Sequence, residues 1–261
     1  MNAISDILRS KHDASKCSLI PFITAGYPNL DTTTKVLRAL DEAGADIIEL
    51  GIPYSDALAD GFVIQESSRK ALLQGVYVNQ VLDVLKTTAS FIRTPIVIFT
   101  YYNPIIARGI LCFISEISHA GAKGLIIPDL PLEEADYMLA ICCKYNIELI
   151  LFVAPTSSEN RIKKIVEKSP GCIYLVSSTG VTGVRQQFNL DIDYMSQYIK
   201  NISNKYIIIG FGISNSMQVR QLSQKNIDGI VVGSAFVNLL ANDLPVDSIL
   251  QFCKTLKQSI A

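Results

Sequence analysis

The sequence predicts a single (β/α)8 barrel, or TIM barrel, because short apolar segments alternate eight times with amphipathic helical segments along 261 residues. Most of the apolar segments are apolar on both faces, which is typical of parallel strands covered by helices. The connections are short and no linker interrupts them, so we expect one domain over residues 1–261. A doubly wound open sheet is the structural alternative. The predicted strands are Leu19–Ile23, Asp46–Leu50, Pro95–Thr100, Gly124–Ile127, Ile147–Val153, Cys172–Ser177, Tyr206–Ile209 and Gly229–Val232.

The helical segments between these strands have recognisable beginnings. Predicted N-caps stand at Asn29–Asp31, Ser157–Ser158 and Ser214–Asn215. An extra N-terminal helix, Ala3–Lys11, precedes the first strand and is expected to cover the bottom of the barrel. The loop after strand two is enlarged and is long enough to hold an additional helix.

The composition excludes several classes of function. With 23 basic and 24 acidic side chains the formal net charge is −1, which argues against a nucleic-acid partner. No apolar segment approaches the roughly 18 residues that span a bilayer, and the polar N-terminus lacks the apolar core of a signal peptide. We therefore expect no membrane partner, and a location in the cytoplasm, or in the plastid stroma if the gene is plastid-encoded. The six cysteines are scattered without CxxC spacing, which favours buried thiols in a reducing compartment.

Two carboxylates at the end of strand two are the strongest indication of chemistry. Glu49 lies within an apolar strand, where an unpaired carboxylate costs several kcal/mol, and Asp60 follows in a loop rich in Pro, Gly and Ala. One buried carboxylate beside a more exposed one is an arrangement used in general acid–base catalysis. The alternative is structural: a Glu paired with a Lys or Arg, and an Asp that caps a turn.

The other strand ends narrow the possible mechanisms. The active sites of such barrels lie at the carboxyl ends of the strands. No lysine stands there, so a Schiff base is not expected, and His12 and His119 lie elsewhere, so no metal site is expected. Carboxylates and tyrosines remain for proton chemistry. Tyr101 and Tyr174 are either rim aromatics of the barrel or walls for a planar aromatic substrate.

Glycine-rich segments follow the last three strands and predict a phosphate site. They are SSTGVTG (177–183), GFGIS (210–214) and VGSA (232–235). Barrels often bind phosphate with the loops after strands seven and eight and the N-terminus of a short helix. The first segment carries two glycines and Thr182, which suits a mobile lid or a merely flexible connection.

Taken together, these segments resemble the α subunit of tryptophan synthase, and the resemblance covers essentially the whole chain. The matching motifs are PFITAGYP, ELGIPYSDALADG, YYNPI, IPDLPLEE, APT, YLVSSTGVTG, GFGIS and VVGSA. The resemblance implies a carbon–carbon lyase of tryptophan biosynthesis that cleaves indole-3-glycerol phosphate to indole and glyceraldehyde 3-phosphate. It implies no cofactor in this chain, and a β-subunit partner in an α2β2 heterotetramer that carries pyridoxal phosphate (PLP) and receives the indole.

The resemblance also implies a role for each site residue. Glu49 would be the general acid/base, Asp60 would accept the indole N–H, and Tyr174 would line the site beside Glu49. The indole would be walled by Phe22, Phe99, Tyr101 and Ile126. The phosphate would be held, largely by backbone amides, at Gly183, Phe211, Gly212, Gly233 and Ser234. Thr182 would close the lid by bonding to Asp60.

Three positions depart from the family pattern, all in the loop expected to dock against the β subunit. Ala57 replaces a usual proline, and Phe62–Val63 replace a common Pro–Thr. The composition of this loop does not discriminate between a partner-coupled lyase and a stand-alone lyase that releases indole. Two other functions remain open: a barrel that has lost catalysis and only binds the β subunit, and, on the fold alone, a different phosphosugar isomerase.

Overall fold

The computed structural model describes residues 3–176, 187–210, 212–242 and 245–260, and its strands form a closed parallel barrel in chain order. All eight predicted strands are confirmed, with ends that differ by up to two residues. Asp46 and Ile47, for example, precede the second strand, because an apolar pattern does not reveal where ladder pairing begins. The strands are β1 Ser18–Thr24, β2 Ile48–Gly51, β3 Ile96–Phe99, β4 Gly124–Ile126, β5 Glu148–Val153, β6 Cys172–Val176, β7 Tyr206–Gly210 and β8 Gly229–Val232.

Helices surround this barrel, and the predicted additional helix after strand two is confirmed as α3. Asn29, Ser158 and Asn215 each accept a backbone N–H with the side chain, as N-caps do. The helices are α1 Ala3–Asp13, α2 Leu30–Glu42, α3 Phe62–Leu73, α4 Val78–Thr88, α5 Tyr102–Arg108, α6 Ile110–His119, α7 Ala135–Lys144, α8 Glu159–Lys168, α9 Gln187–Ile202, α10 Ser216–Ser223, α11 Ser234–Ala241 and α12 Val246–Ile260. None of the described helices is both long enough and apolar enough to cross a bilayer.

The strand register brings the candidate site together inside the barrel. Phe22 of β1 pairs with Glu49 of β2, and Gly51 of β2 pairs with Phe99 of β3. A Cβ at Gly51 would lie 2.7 Å from the ring of Phe22, so only glycine leaves space for that ring. Because side chains alternate between the two faces of a strand, Glu49 points inward while its apolar neighbours pack against the helices.

Helix α1 closes the bottom of the barrel, as predicted, through a buried carboxylate of β5. The backbone N–H of Ser5 donates to Glu148 Oε2 at 3.0 Å, and the Ser5 hydroxyl donates to Oε1. A Cβ at Gly171 would collide with both side chains, so the backbone approaches this pair closely. The Glu148 side chain is thereby satisfied although it is almost inaccessible to solvent.

Two further buried carboxylates fasten the same helix. Lys11 lies 2.8 Å from Asp46, which also accepts from Lys257 of α12. His12 Nδ1 lies 2.8 Å from Asp228 Oδ1, and Lys200 of α9 lies 2.6 Å from the other oxygen. Helix α1 therefore contacts acidic groups beside β2, β5 and β8, three positions around the bottom rim.

We predict that Ser5→Ala lowers the free energy of unfolding by about 1–3 kcal/mol, because it leaves a buried Glu148 oxygen without its hydroxyl donor. Urea denaturation measures the change. Ser10→Ala, at an exposed position of the same helix, is the matched control and should be nearly neutral. Equal effects of the two substitutions would contradict the assigned role of the Ser5–Glu148 contact.

Candidate active site

Glu49 is buried in the barrel interior without a compensating charge nearby. Its side chain is only 2% exposed, and no hydrogen-bond partner of Oε2 is found among the described residues. Burial, followed by the charge of Asp60, raises the pKa of the Glu49 carboxyl from 4.5 to about 8. At neutral pH the group therefore carries a proton that it can donate.

Asp60 lies in the loop between β2 and α3, and it is half-buried. Burial raises its pKa from 3.8 to about 6, and a hydrogen bond from Tyr101 opposes that rise. The Tyr101 hydroxyl donates to Asp60 Oδ2 at 3.0 Å. At neutral pH Asp60 is mostly ionised, so the two carboxyl groups of the site hold opposite protonation states.

Tyr174 of β6 stands beside these groups, and its hydroxyl rests against the backbone of Gly210. A Cβ at Gly210 would lie 1.9 Å from the Tyr174 oxygen, far inside van der Waals contact. Burial, and then the charges of Glu49 and Asp60, raise the pKa of the Tyr174 phenol well above its usual value. Tyr174 is therefore neutral across the whole physiological range of pH.

A cavity of about 260 Å³ joins these groups at the carboxyl ends of the strands. It contains eight of the residues predicted for the site: Phe22, Glu49, Asp60, Phe99, Tyr174, Gly212, Gly233 and Ser234. It also contains five residues that the sequence did not reveal: Gly61, Phe62, Val63, Ile64 and Val231. Gly61 is the N-cap of α3, and Phe62, Val63 and Ile64 are its first three residues.

The remaining predicted site residues fall in two groups. Tyr101 and Ile126 are buried next to the cavity without being among the described residues that line it; Ile126 pairs with Phe99, and the Tyr101 ring lies 6.2 Å from the Phe99 ring. Thr182, Gly183 and Phe211 lie outside the described residues. Asp129, between two prolines, accepts the backbone N–H of Tyr102 at 2.8 Å, which is a structural contact.

One end of the cavity is suited to an anion. Ser234 is the first residue of α11 and Gly233 is its N-cap, and both line the cavity, so the helix N-terminus, where backbone N–H groups have no intrahelical partner, borders the cavity. Gly212 has φ +77°, a conformation that favours glycine, and lies beside them. No cluster of three or more His, Cys, Asp or Glu side chains able to hold a metal ion occurs in the described part of the chain.

We predict that Gly210→Ala destabilises the fold by about 1–3 kcal/mol, because the new methyl group collides with Tyr174. Urea unfolding of Gly61→Ala is the control, since a Cβ there meets nothing within 4 Å. The double variant Gly210→Ala/Tyr174→Leu should lose less stability than the sum of its single changes. If Gly210→Ala and Gly61→Ala unfold at the same urea concentration, the close approach of Tyr174 to Gly210 does not limit the stability of the fold.

Comparisons with known proteins identify the family of this chain. Residues 8–260 match the family model described as tryptophan synthase alpha chain. The tryptophan synthase alpha chain of Gracilaria tenuistipitata var. liui is 60% identical, over 100% of this chain and 97% of that protein. The alpha chain of Antithamnion sp. is 57% identical, over 99% of each.

Solved structures with lower sequence identity to this chain belong to the same family. The structure of Mycobacterium tuberculosis tryptophan synthase in space group F222 superposes with a TM-score of 0.90 at 32% identity, covering 98% of this chain and 97% of that one. Tryptophan synthase subunit alpha of Legionella pneumophila str. Paris gives a TM-score of 0.90 at 30% identity, covering 100% and 98%. The chain therefore belongs to the tryptophan synthase alpha chain family.

Proposed function

We propose that Glu49 and Asp60 carry out the reaction of this family, the cleavage of indole-3-glycerol phosphate to indole and glyceraldehyde 3-phosphate. The observation that carries the assignment is a buried, protonated Glu49 that shares a cavity with an ionised Asp60. An acid and a base held in opposite protonation states at neutral pH are what a proton-driven carbon–carbon cleavage requires.

The reaction starts when Glu49 donates its proton to the indole ring carbon that carries the glycerol phosphate chain. The ring becomes a cation with its charge on nitrogen, and the Asp60 carboxylate accepts the N–H and offsets that charge. Burial keeps Glu49 protonated at neutral pH, and it also makes the carboxylate that forms after donation a strong base for the next step.

Cleavage then protonates Glu49 again, with a proton from the substrate hydroxyl. The Glu49 carboxylate takes the proton of the hydroxyl on the adjacent side-chain carbon, a carbonyl forms there, and the carbon–carbon bond breaks. The bonding electrons return to the ring, so indole leaves as a neutral molecule. The other product, glyceraldehyde 3-phosphate, carries the new aldehyde group. The proton has moved from the hydroxyl to the ring carbon, and the enzyme is unchanged.

The substrate is held at both ends. Phe22, Phe99, Tyr101 and Ile126 wall the indole, and Tyr174 lines the site beside Glu49. Backbone amides at Gly183, Phe211, Gly212, Gly233 and Ser234 bind the phosphate, and Thr182 closes the lid onto Asp60. The N-terminus of α11 and the edge-to-face pair of Phe22 and Phe99, which line the same cavity, support these assignments. Such positioning contributes to the rate in addition to acid–base chemistry.

Membership of the family implies a β-subunit partner. The complex is an α2β2 heterotetramer, and its PLP-containing β subunit consumes the indole. Large exposed apolar side chains in and after the loop that follows β2 support a docking surface: Leu58 is 89% exposed, and Phe62, which lines the cavity, is 80% exposed. Leu73 of α3 and Ile106 of α5 are exposed as well. A stand-alone lyase would have no use for this apolar exposure, and a scaffold without activity would have no use for Glu49.

Two broader properties complete the proposal. Residues 1–261 form one domain, because β1 pairs with β8 and helices from both ends of the chain meet at the barrel bottom. The protein acts in the cytoplasm or, if its gene is plastid-encoded, in the plastid stroma, which fits its similarity to proteins of the red alga Gracilaria and the cyanobacterium Microcystis.

We predict that Glu49→Gln lowers kcat/KM for indole-3-glycerol phosphate by roughly 10²-fold or more, because it removes the transferable proton. Indole release is measured with and without a β subunit. Weak release by the wild type that rises with the partner supports the coupled lyase. Strong release without a partner favours the stand-alone enzyme, and no release from folded wild type would refute the activity.

The same variant carries its own folding control. The folded-state pKa of Glu49 is raised, so its contribution to stability is complete below about pH 4.5 and is lost as pH rises to about 8. The loss amounts to about 1.4 kcal/mol per pH unit in that window. Since Gln does not ionise, Glu49→Gln should gain stability over wild type as pH increases, and an inactive but more stable variant excludes misfolding.

We predict a bell-shaped dependence of kcat/KM on pH. Activity needs Glu49 protonated, so it should fall as pH rises through about 8, and it needs Asp60 ionised, so it should fall as pH drops through about 6. Asp60→Asn should lower the maximal kcat/KM. It should also remove the part of the acid limb that arises from titration of Asp60. A profile with no basic limb up to pH 9 would contradict the role given to Glu49.

A further inference from the structure

The Tyr101 hydroxyl occupies a position that a simple wall of the substrate pocket does not need. It accepts the backbone N–H of Ala59 at 3.0 Å and donates to Asp60 Oδ2 at 3.0 Å. One phenol oxygen therefore holds both the backbone and the side chain of consecutive residues in the loop after β2. Its side chain is buried, and it is not among the described residues that line the ligand-free cavity.

The ring of Tyr101 is itself fixed from the other side. The Tyr54 ring lies 5.2 Å from it at an angle of 31°, and Phe99 contacts it edge-on. Tyr54 in turn accepts a hydrogen bond from Asn103 Nδ2 at 3.2 Å. With the ring held on two sides, the hydroxyl has a fixed position from which to orient Asp60.

We propose that Tyr101 is a positioning residue that holds the ionised Asp60 carboxylate in the direction needed to accept the indole N–H. The inference rests on the proposed function, since it concerns Asp60, the carboxylate that is proposed to offset the positive charge of the indole ring. Because Asp60 lies on a loop rather than on a strand, its direction is not set by the barrel, and Tyr101 connects it to the rigid end of β3.

The charges around Asp60 explain why this hydrogen bond matters. The titratable groups that face it are Glu49 from β2, Tyr174 from β6 and Tyr101 itself, with Asp129 farther away beside Tyr101. Glu49 and Tyr174 are acids, which are neutral at pH 7 and become anions when they ionise, so neither can supply a positive charge to favour the Asp60 anion. The described contact that lowers the pKa of Asp60 against its burial is the Tyr101 hydrogen bond.

The loop offers a matched control that does not touch the carboxylate. Gln65 Nε2 donates to the carbonyl oxygens of Ala57 and Asp60, at 3.0 and 2.9 Å. Gln65→Met removes two hydrogen bonds from the same loop and retains a side chain of similar length. A general loosening of the loop would affect this variant as well as Tyr101→Phe.

The test is the pH profile of kcat/KM for wild type, Tyr101→Phe and Gln65→Met with the same substrate, so that titration of the substrate phosphate is common to all three. For Tyr101→Phe we expect the acid limb to move up by about one pH unit, as the loss of a charged hydrogen bond implies, with a lower maximal kcat. For Gln65→Met we expect the acid limb to stay in place. An unmoved acid limb in Tyr101→Phe, or equal shifts in both variants, would overturn the proposal.

A second measurement separates this inference from the proposed function. Carbon-13 NMR of the Asp60 carboxyl in the ligand-free protein gives its titration midpoint without any turnover. A higher midpoint in Tyr101→Phe than in wild type supports the positioning role, and an unchanged midpoint refutes it. If wild type releases no indole, the proposed function fails, and the NMR midpoint still decides whether Tyr101 controls Asp60.

Discussion

The structure of the site depends on keeping the Glu49 carboxyl in an apolar interior. The desolvation that raises its pKa to about 8 requires a closed barrel, aromatic side chains around the acid, and glycines that leave space for those aromatics. Gly51 makes room for Phe22, and Gly210 makes room for Tyr174. The acid strength of one side chain is therefore set by packing on four strands, β1, β2, β6 and β7.

The two ends of the barrel treat buried carboxyl groups in opposite ways. At the bottom, Asp46, Glu148 and Asp228 each receive hydrogen bonds or ion pairs from surrounding helices. At the top, Glu49 has an oxygen without a partner among the described residues, and Asp60 is held by a phenol. The three hydrogen-bonded or ion-paired carboxylates at the bottom stabilise the fold, while Glu49 at the top keeps a proton that it can transfer. Function and stability are thus concentrated at opposite rims, as the barrel architecture allows.

Much of the fold was predictable because it depends on periodicity, which a sequence displays directly. Glu49 and Asp60 were also predictable, since a carboxylate in an apolar strand is conspicuous. The hydroxyl contact of Tyr101 was not, because its partners Ala59 and Asp60 are brought to it by a loop whose path no local pattern encodes. Gly61 to Ile64 were missed for a similar reason: helix α3 turns its first residues toward the cavity. The roles of Thr182, Gly183 and Phe211 stay predictions.

The closure of the bottom rim has a consequence for the order of events during synthesis. Helix α1 is translated before the partners that hold it, because Glu148 and Asp228 lie 143 and 216 residues after Ser5 and His12. Strand β1 likewise pairs with β8. Helix α1 and strand β1 therefore cannot reach their final environment until Asp228 and β8 have left the ribosome. Such distant contacts make folding slow relative to local helix formation, and they leave the amphipathic first helix dependent on a late, cooperative step.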